Sequence, residues 1–197
     1  MATVVTNASM SVDGYIADPS DGCDDLFGWY DNGEVELPSP SGTMTFHLSD
    51  ASAGYLRGIS GELGTLVVGR RLFDITNGWD GRHPFDVPVF VVTHSVPTDW
   101  PHIGSAPFTF VTDGVVSAVE QAKKAAGDRT VAVAAGKIAS QALDAGLVDE
   151  VVVDLVPVVL GAGVPYFASL ATKPVKLDNP TILAGDRVLH LRYPVLR

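Results

Sequence analysis

Two places in this chain set positive charge where a strand gives way to a helix. In "VVGRRLFD", residues 67–74, Gly69 is followed by Arg70 and Arg71; in "VAVAAGKIAS", residues 131–140, Gly136 is followed by Lys137. A helix start already carries a partial positive charge, so a cation there costs about 0.3–1 kcal/mol at an exposed site. A strand–Gly–helix junction with free backbone N–H groups and a nearby cation is instead suited to phosphate. The chain as a whole has the opposite sign: 13 Lys and Arg against 23 Asp and Glu, a net charge of −10. Two cationic helix starts in so acidic a protein point to one extended polyanion bridging both, such as a dinucleotide. The alternative is that Arg70 and Arg71 pair with Asp74, Asp80 or surface acids, and composition leaves the two readings even.

Other chemistries lack their residues. There is no GxGxxG after the first strand, no GxxxxGK[ST] and no GxSxG, so the usual dinucleotide, P-loop and nucleophile-elbow patterns are absent. The five histidines, His47, His83, His94, His102 and His190, have no metal-ligand spacing and read mostly as surface or loop residues. Cys23 is the only cysteine and lies in "DGCDD", where neighbouring carboxylates disfavour a thiolate. The acidic balance argues against nucleic acid and anionic membranes. With no signal-like N-terminus and no apolar run near the ~18 residues of a membrane span, the expectation is a cytoplasmic protein.

The elements that must position these junctions are legible from the apolar pattern. Short β-branched runs at 3–9, 65–69, 87–93, 108–111, 130–134 and 150–160 read as buried strands. Between them, "GVVSAVEQAKKAAG" sets Val115, Val116, Val119, Ala122 and Ala126 on one helical face, and "KIASQALDAG" groups Ile138, Ala142 and Leu143 before Gly146. Residues 46–60 read as a weaker helix interrupted by Gly54. Alternating strands and helices predict an α/β fold, a mainly parallel sheet covered on both faces. At the end, "VKLDNPTIL" and "RVLHLRYPVL" joined by "AGD" read as an antiparallel hairpin. Residues 18–45 form an acidic Gly/Pro/Ser-rich loop of lid-like length. The length of 197 residues and 46% hydrophobic content fit one domain, 1–197, with a substantial core.

The segments "MSVDGYIA", "VVGRRLFD" and "QALDAGLVDEVVVDLVPVVLGAGVPYF", in this order, resemble the dihydrofolate reductase-like superfamily. More closely, they resemble the C-terminal reductase domain of the bifunctional riboflavin-biosynthesis deaminase/reductase and its stand-alone relatives. The likeness spans nearly the whole chain. It implies the three-layer fold of that superfamily and an NADPH-dependent reductase acting on a small planar heterocycle or a related carbonyl or imine. By that resemblance Gly69, Arg70, Arg71 and Leu72 meet the cofactor's phosphates, and Thr93, His94 and Ser95 lie beside the adenosine. Ala8, Ile16 and Ala17 pack near the nicotinamide, and Ala134, Ala135, Gly136, Lys137 and Ile138 face the pyrophosphate. The family's Gly-Gly pair is here Ala134-Ala135, whose methyl groups crowd that approach. That departure keeps a second reading open, a non-catalytic or regulatory module with an eroded nucleotide site. Folate-reducing relatives use an acid on the first helix. The nearest counterpart is Asp50 in "FHLSDASAGY", a stretch that also reads as a helix start capped by Ser49 or Asp50. Trp29 and Tyr30, with Asp31 and Glu34 in the lid-like loop, are candidates to stack on and hydrogen-bond the substrate. Relatives of this type pair through their terminal strands, which implies a homodimer.

Overall fold

A computed structural model of the chain describes residues 2–171 and 173–196. In chain order the elements are β1 (Val4–Ser11), β2 (Tyr15–Ala17), α1 (Asp24–Phe27), β3 (Val35–Pro38), β4 (Thr45–Leu48), α2 (Asp50–Glu62), β5 (Leu63–Gly69) and α3 (Arg70–Ile75). They continue as β6 (Val89–Val92), β7 (Phe108–Val111), α4 (Val115–Ala126), β8 (Thr130–Ala134), α5 (Lys137–Asp144), β9 (Glu150–Val156), β10 (Val164–Pro165), β11 (Thr181–Gly185) and β12 (Val188–Pro194). Eight strands form one sheet in the order β11-β12-β9-β1-β8-β5-β6-β7. From β9 to β7 every pairing is parallel, while β12 and β11 run antiparallel at one edge. This is the α/β arrangement of the dihydrofolate reductase-like fold.

Strand alternation sorts the sheet into two unlike faces. Val4, Val67, Val131 and Val133 point to the side covered by α4 and α5, where they pack with Ala118, Val119, Ala122 and Leu143. That side is filled. On α4 the buried residues are Val115, Ala118, Val119, Ala122 and Ala126, whereas Val116, expected inside, is 46% exposed; the true stripe follows i, i+3, i+4, i+7 and i+11. The registers Val5↔Ala132, Asn7↔Ala134 and Ser9↔Asp154 set the remaining side chains of β1, β8 and β9 on the opposite face, toward α2 and the segment 24–48.

Several expectations need correction. Residues 46–60 are not one helix: Phe46 and Leu48 alternate inward in β4, and α2 begins only at Asp50, with Ser49 Oγ accepting from Ser52 N. Residues 18–45 are no plain loop. They hold α1, a 3₁₀ turn with Trp29 almost fully buried, and β3 paired with β4. β1 lies in the middle of the sheet, between β9 and β8. β9 stops at Val156, before Pro157, and residues 157–163 form a loop tied to the "SVDG" turn. There Asp13 accepts Ser11 Oγ (2.6 Å), Gly161 N (2.7 Å) and Leu160 N (3.1 Å). The Ser11 hydroxyl and those amides hold its carboxyl below the ordinary range. Two family-like motifs thus turn out to be halves of one clasp. Among the described residues no helix is long and apolar enough to cross a membrane.

Candidate functional site

In a doubly wound sheet, ligands bind beyond the carboxyl ends of strands where connections diverge to opposite faces. Here the ends of β1, β5 and β8 open into a cavity of about 870 Å³. Ala8, Ile16 and Ala17 form one wall, and Gly69, Arg71 and Leu72 another. Ala134, Ala135, Gly136, Lys137 and Ile138 supply a third, and Trp29 and Tyr30 a fourth. Arg70, Thr93, His94 and Ser95 do not line the cavity. They group outside it instead, where Arg70 Nη1 donates to Thr93 Oγ1 (3.3 Å) and Ser95 O (3.0 Å) and His94 is exposed.

The three cations are placed differently. Arg70 Nε pairs with Asp74 at 2.7 Å, one helical turn on. Arg71 lines the cavity but donates to Asp21 at 2.8 Å, a loop acid that also lines it. No carboxylate pairs with Lys137 among the described residues, and Gly136, the cap of α5, brings no side chain to its first-turn amides. Gly136 has φ 91°, a conformation that side chains resist, and its N–H donates to Tyr166 O at 2.6 Å. The space beside it is open: a Cβ there meets only Ile16 Cδ1, at 3.8 Å. Tyr166 in turn donates to Val152 O (2.7 Å) and contacts Thr6 Oγ1 (3.0 Å), which anchors the Gly136 corner to the sheet.

The buried acid of the cavity comes from a strand. Asp154 on β9 is 4% exposed and lines the cavity; its Oδ1 lies 2.7 Å from His190 Nδ1, and His190 Nε2 lies 3.0 Å from Ser52 Oγ. Distances alone resemble a Ser–His–Asp triad, but the order relative to the ligand space is reversed. Asp154 faces the cavity, whereas Ser52 does not line it and is 1% exposed. The set therefore orients a carboxylate rather than activating a serine. Tyr55 stacks on His190, ring centroids 3.8 Å apart, and its hydroxyl is buried near Asp154. Burial, then the Asp154 charge, push the Tyr55 hydroxyl pKa far up, so it stays protonated. Asp50, by contrast, is exposed at the start of α2 and outside the cavity.

Beside the cavity, residues 77–81 run through five consecutive positive φ values, three of them at Asn77, Trp79 and Asp80. Such a run is strained for non-glycine residues. Asn77 Nδ2 donates to Asp80 Oδ1 (2.8 Å) and Trp100 Nε1 to Asn77 O (3.2 Å), which hold it. The turn brings Trp79 edge-on to His83, 4.6 Å between centroids, and both line the cavity. His83 Nδ1 accepts from Phe85 N at 3.2 Å, and burial lowers its pKa to about 4. The ring is neutral with its proton on Nε2. Cys23 also lines the cavity, and burial first, then Asp24 and Asp18, raise its thiol pKa.

The sequence matches the model of the RibD C-terminal domain over residues 2–191. The chain belongs to that family. Among solved structures, this RibD C-terminal domain protein is similar to a Shewanella sp. PV-4 protein provisionally assigned to riboflavin biosynthesis. Identity there is 25% and TM-score 0.68, with 100% of each chain covered. It is also similar to the Thermotoga maritima diaminohydroxyphosphoribosylaminopyrimidine deaminase/5-amino-6-(5-phosphoribosylamino)uracil reductase, at 16% identity and TM-score 0.61. That match covers 99% of this chain and 57% of the other, so the chain spans just over half of the bifunctional protein. An Enterococcus faecalis dihydrofolate reductase, complexed with NADP(H) and RAB-propyl, matches at 14% identity and TM-score 0.55, covering 99% and 97% of the two chains. No curated protein matches the chain.

Sequence reasoning thus brings most of its expected residues to one cavity and misses the acid. His190 and His83, read as surface or loop histidines, are buried because each has a partner supplied by a distant segment, Asp154 and Ser52 for one, Phe85 N–H for the other. A signal was present: "VVVDLV" sets one carboxylate inside an apolar strand, and a buried charge needs a partner.

Proposed function

We propose that the protein is an NADPH-dependent reductase of a small planar heterocycle or a related carbonyl or imine compound. The observation that carries this reading is that Arg71, Lys137 and the open Gly136 corner share one cavity with the buried carboxylate of Asp154. The residues fit the cofactor at its phosphates. The uncapped first turn of α5 and the unpaired Lys137 suit a pyrophosphate, and Arg71 a further phosphate once it exchanges Asp21 for it. Ala8, Ile16 and Ala17 offer a small apolar bed for a nicotinamide.

When bound, NADPH supplies a hydride. The chain's own residues then have to orient the acceptor, exclude water and provide a proton for the reduced bond's heteroatom. Asp154 is the group in place for the proton: it faces the cavity, and the His190 ring behind it fixes its orientation. Trp29 is locked by its indole N–H on Ser9 Oγ (3.1 Å), and Tyr30 packs edge-on against it, giving a rigid aromatic wall for a flat substrate. Asp50 lies in the first turn of α2, outside the cavity and after the capping Ser49, which supports the helix-start side of its two readings. The outer edge of β11 has no strand partner among the described residues and Ile182 on it is 62% exposed, which supports a homodimer paired through the terminal strands.

Titration with NADPH, followed by nicotinamide fluorescence, tests the reading: saturable binding is expected, weakened at least tenfold by Lys137→Gln. Absence of binding at millimolar cofactor overturns it. The eroded-site reading is favoured by the Asp21–Arg71 pair together with Ala134-Ala135. The two separate on Asp21→Asn, which frees Arg71. The reductase reading expects NADPH affinity to rise up to about fivefold, the worth of one exposed ion pair, with NADH affinity unchanged.

A further inference from the structure

The cavity does not end at Asp154. It continues along the sheet face toward the amino-terminal ends of the strands, where Leu63 of β5 and Thr130 of β8 line it. From Asp154 to Glu150, the register level of Val5, is four residues of β9, or ~13 Å at the ordinary strand rise. Over that length the walls change character. Val5, Ala132 and Val152 form the floor and Leu56, Ile59, Phe85 and the ring of Tyr55, whose hydroxyl is buried, the roof, with Thr130 and then the pair Glu62 and Arg192 at the far end. Those two lie 3.6 Å apart. Ala132 matters most: its small side chain leaves open the middle of a face that valine or leucine would fill.

A reductase needs only the upper part of this space to hold two rings. We infer that the lower part is a tail channel, and that the substrate joins a hydrogen-bond-donating or cationic polar head, held by Asp154, to an unbranched apolar tail. This inference rests on the reductase reading for the reaction but not for the binding. A phosphorylated sugar substituent has no free cation to meet in this channel among the described residues, because Arg192 is held by Glu62 and by Glu150 at 2.8 Å. An apolar chain needs none.

Straight-chain alkylamidines of increasing length test it without cofactor, since an amidinium meets a carboxylate through two parallel hydrogen bonds. Calorimetric titration of the wild-type protein should show affinity rising about fourfold per methylene, the equivalent of ~0.8 kcal/mol per buried CH₂. The rise should stop once the chain spans the channel. Alkyl carboxylates of equal length should not bind beside Asp154, and Asp154→Asn should weaken acetamidine. Ala132→Leu should flatten the length dependence while leaving acetamidine binding intact; Ile59→Phe occludes from the opposite wall if the first variant does not fold. A flat series in the wild type, or a length dependence untouched by occlusion, overturns the channel. If NADPH fails to bind while the amidine series behaves as expected, the reductase reading falls and the tail channel stands.

Discussion

Asp154 and His83 are both buried titratable groups, yet their surroundings give them different behaviour. Asp154 is held by His190, which is itself held by Ser52. Removing one member of a buried pair strands the other, so Asp154→Ala should cost about 3–5 kcal/mol of stability. Asp154→Asn, which can still meet His190 Nδ1, should cost markedly less. Urea unfolding of the two variants checks this. His83 is buried neutral, with its pKa lowered to about 4 from an ordinary 6.5. Below pH 6.5 the unfolded chain binds a proton that the folded one refuses, so this histidine makes stability fall as pH drops from 6.5 toward 4. The full effect is about 3 kcal/mol. His83→Gln should therefore flatten the pH dependence of the urea midpoint across that window and leave it unaltered above pH 7.

At the scale of elements, close approach decides what can change. β11 and β12 bring Gly185 against the back of the Ser52–His190 contact: a Cβ on Gly185 would lie 2.7 Å from Val188 Cγ1 and closer still to Ser52 Oγ. Gly185→Ala should destabilise by about 1–3 kcal/mol. It should also shift the His190 imidazole NMR signals, because it displaces the α2 side of the same network. These juxtapositions explain what the sequence makes legible. Strands such as β8 and helices such as α4 and α5 announce themselves by period, and the Gly–cation junctions by breaking the usual charge rule at helix starts. Ser52, Asp154 and His190 come from three distant segments, and only pairing of β12 with β9 brings the last two into contact. The "FHLSD" stretch is hard for a different reason: Phe46 and Leu48 have strand spacing, but the run is only four residues long and leads directly into α2, and pairing with β3 is what marks it as a strand.

The whole molecule is a sheet with one filled face and one hollow face. α4 and α5 close the first with alanine and valine, which lets helix and sheet approach closely. On the second, α2 and the strained turn at 77–81 stand off the sheet and enclose a cavity of about 870 Å³, at the large end of the range for small-molecule sites. The Gly136–Lys137 corner and the Asp154 carboxylate lie at the carboxyl-terminal half of the sheet, where the connections diverge. The net charge of −10 makes the placement of Lys137 consequential, since any anion approaches against the field of the whole protein. Binding of NADPH should accordingly tighten as salt rises from low to moderate concentration, until screening also weakens the local contact with Lys137. The account is tested most directly by a crystal structure determined with NADPH. Its pyrophosphate should lie between Gly136 and Lys137, with the nicotinamide on Ala8, Ile16 and Ala17 facing Asp154. A dinucleotide bound elsewhere, or one whose nicotinamide fills the space beneath Asp154, would contradict it.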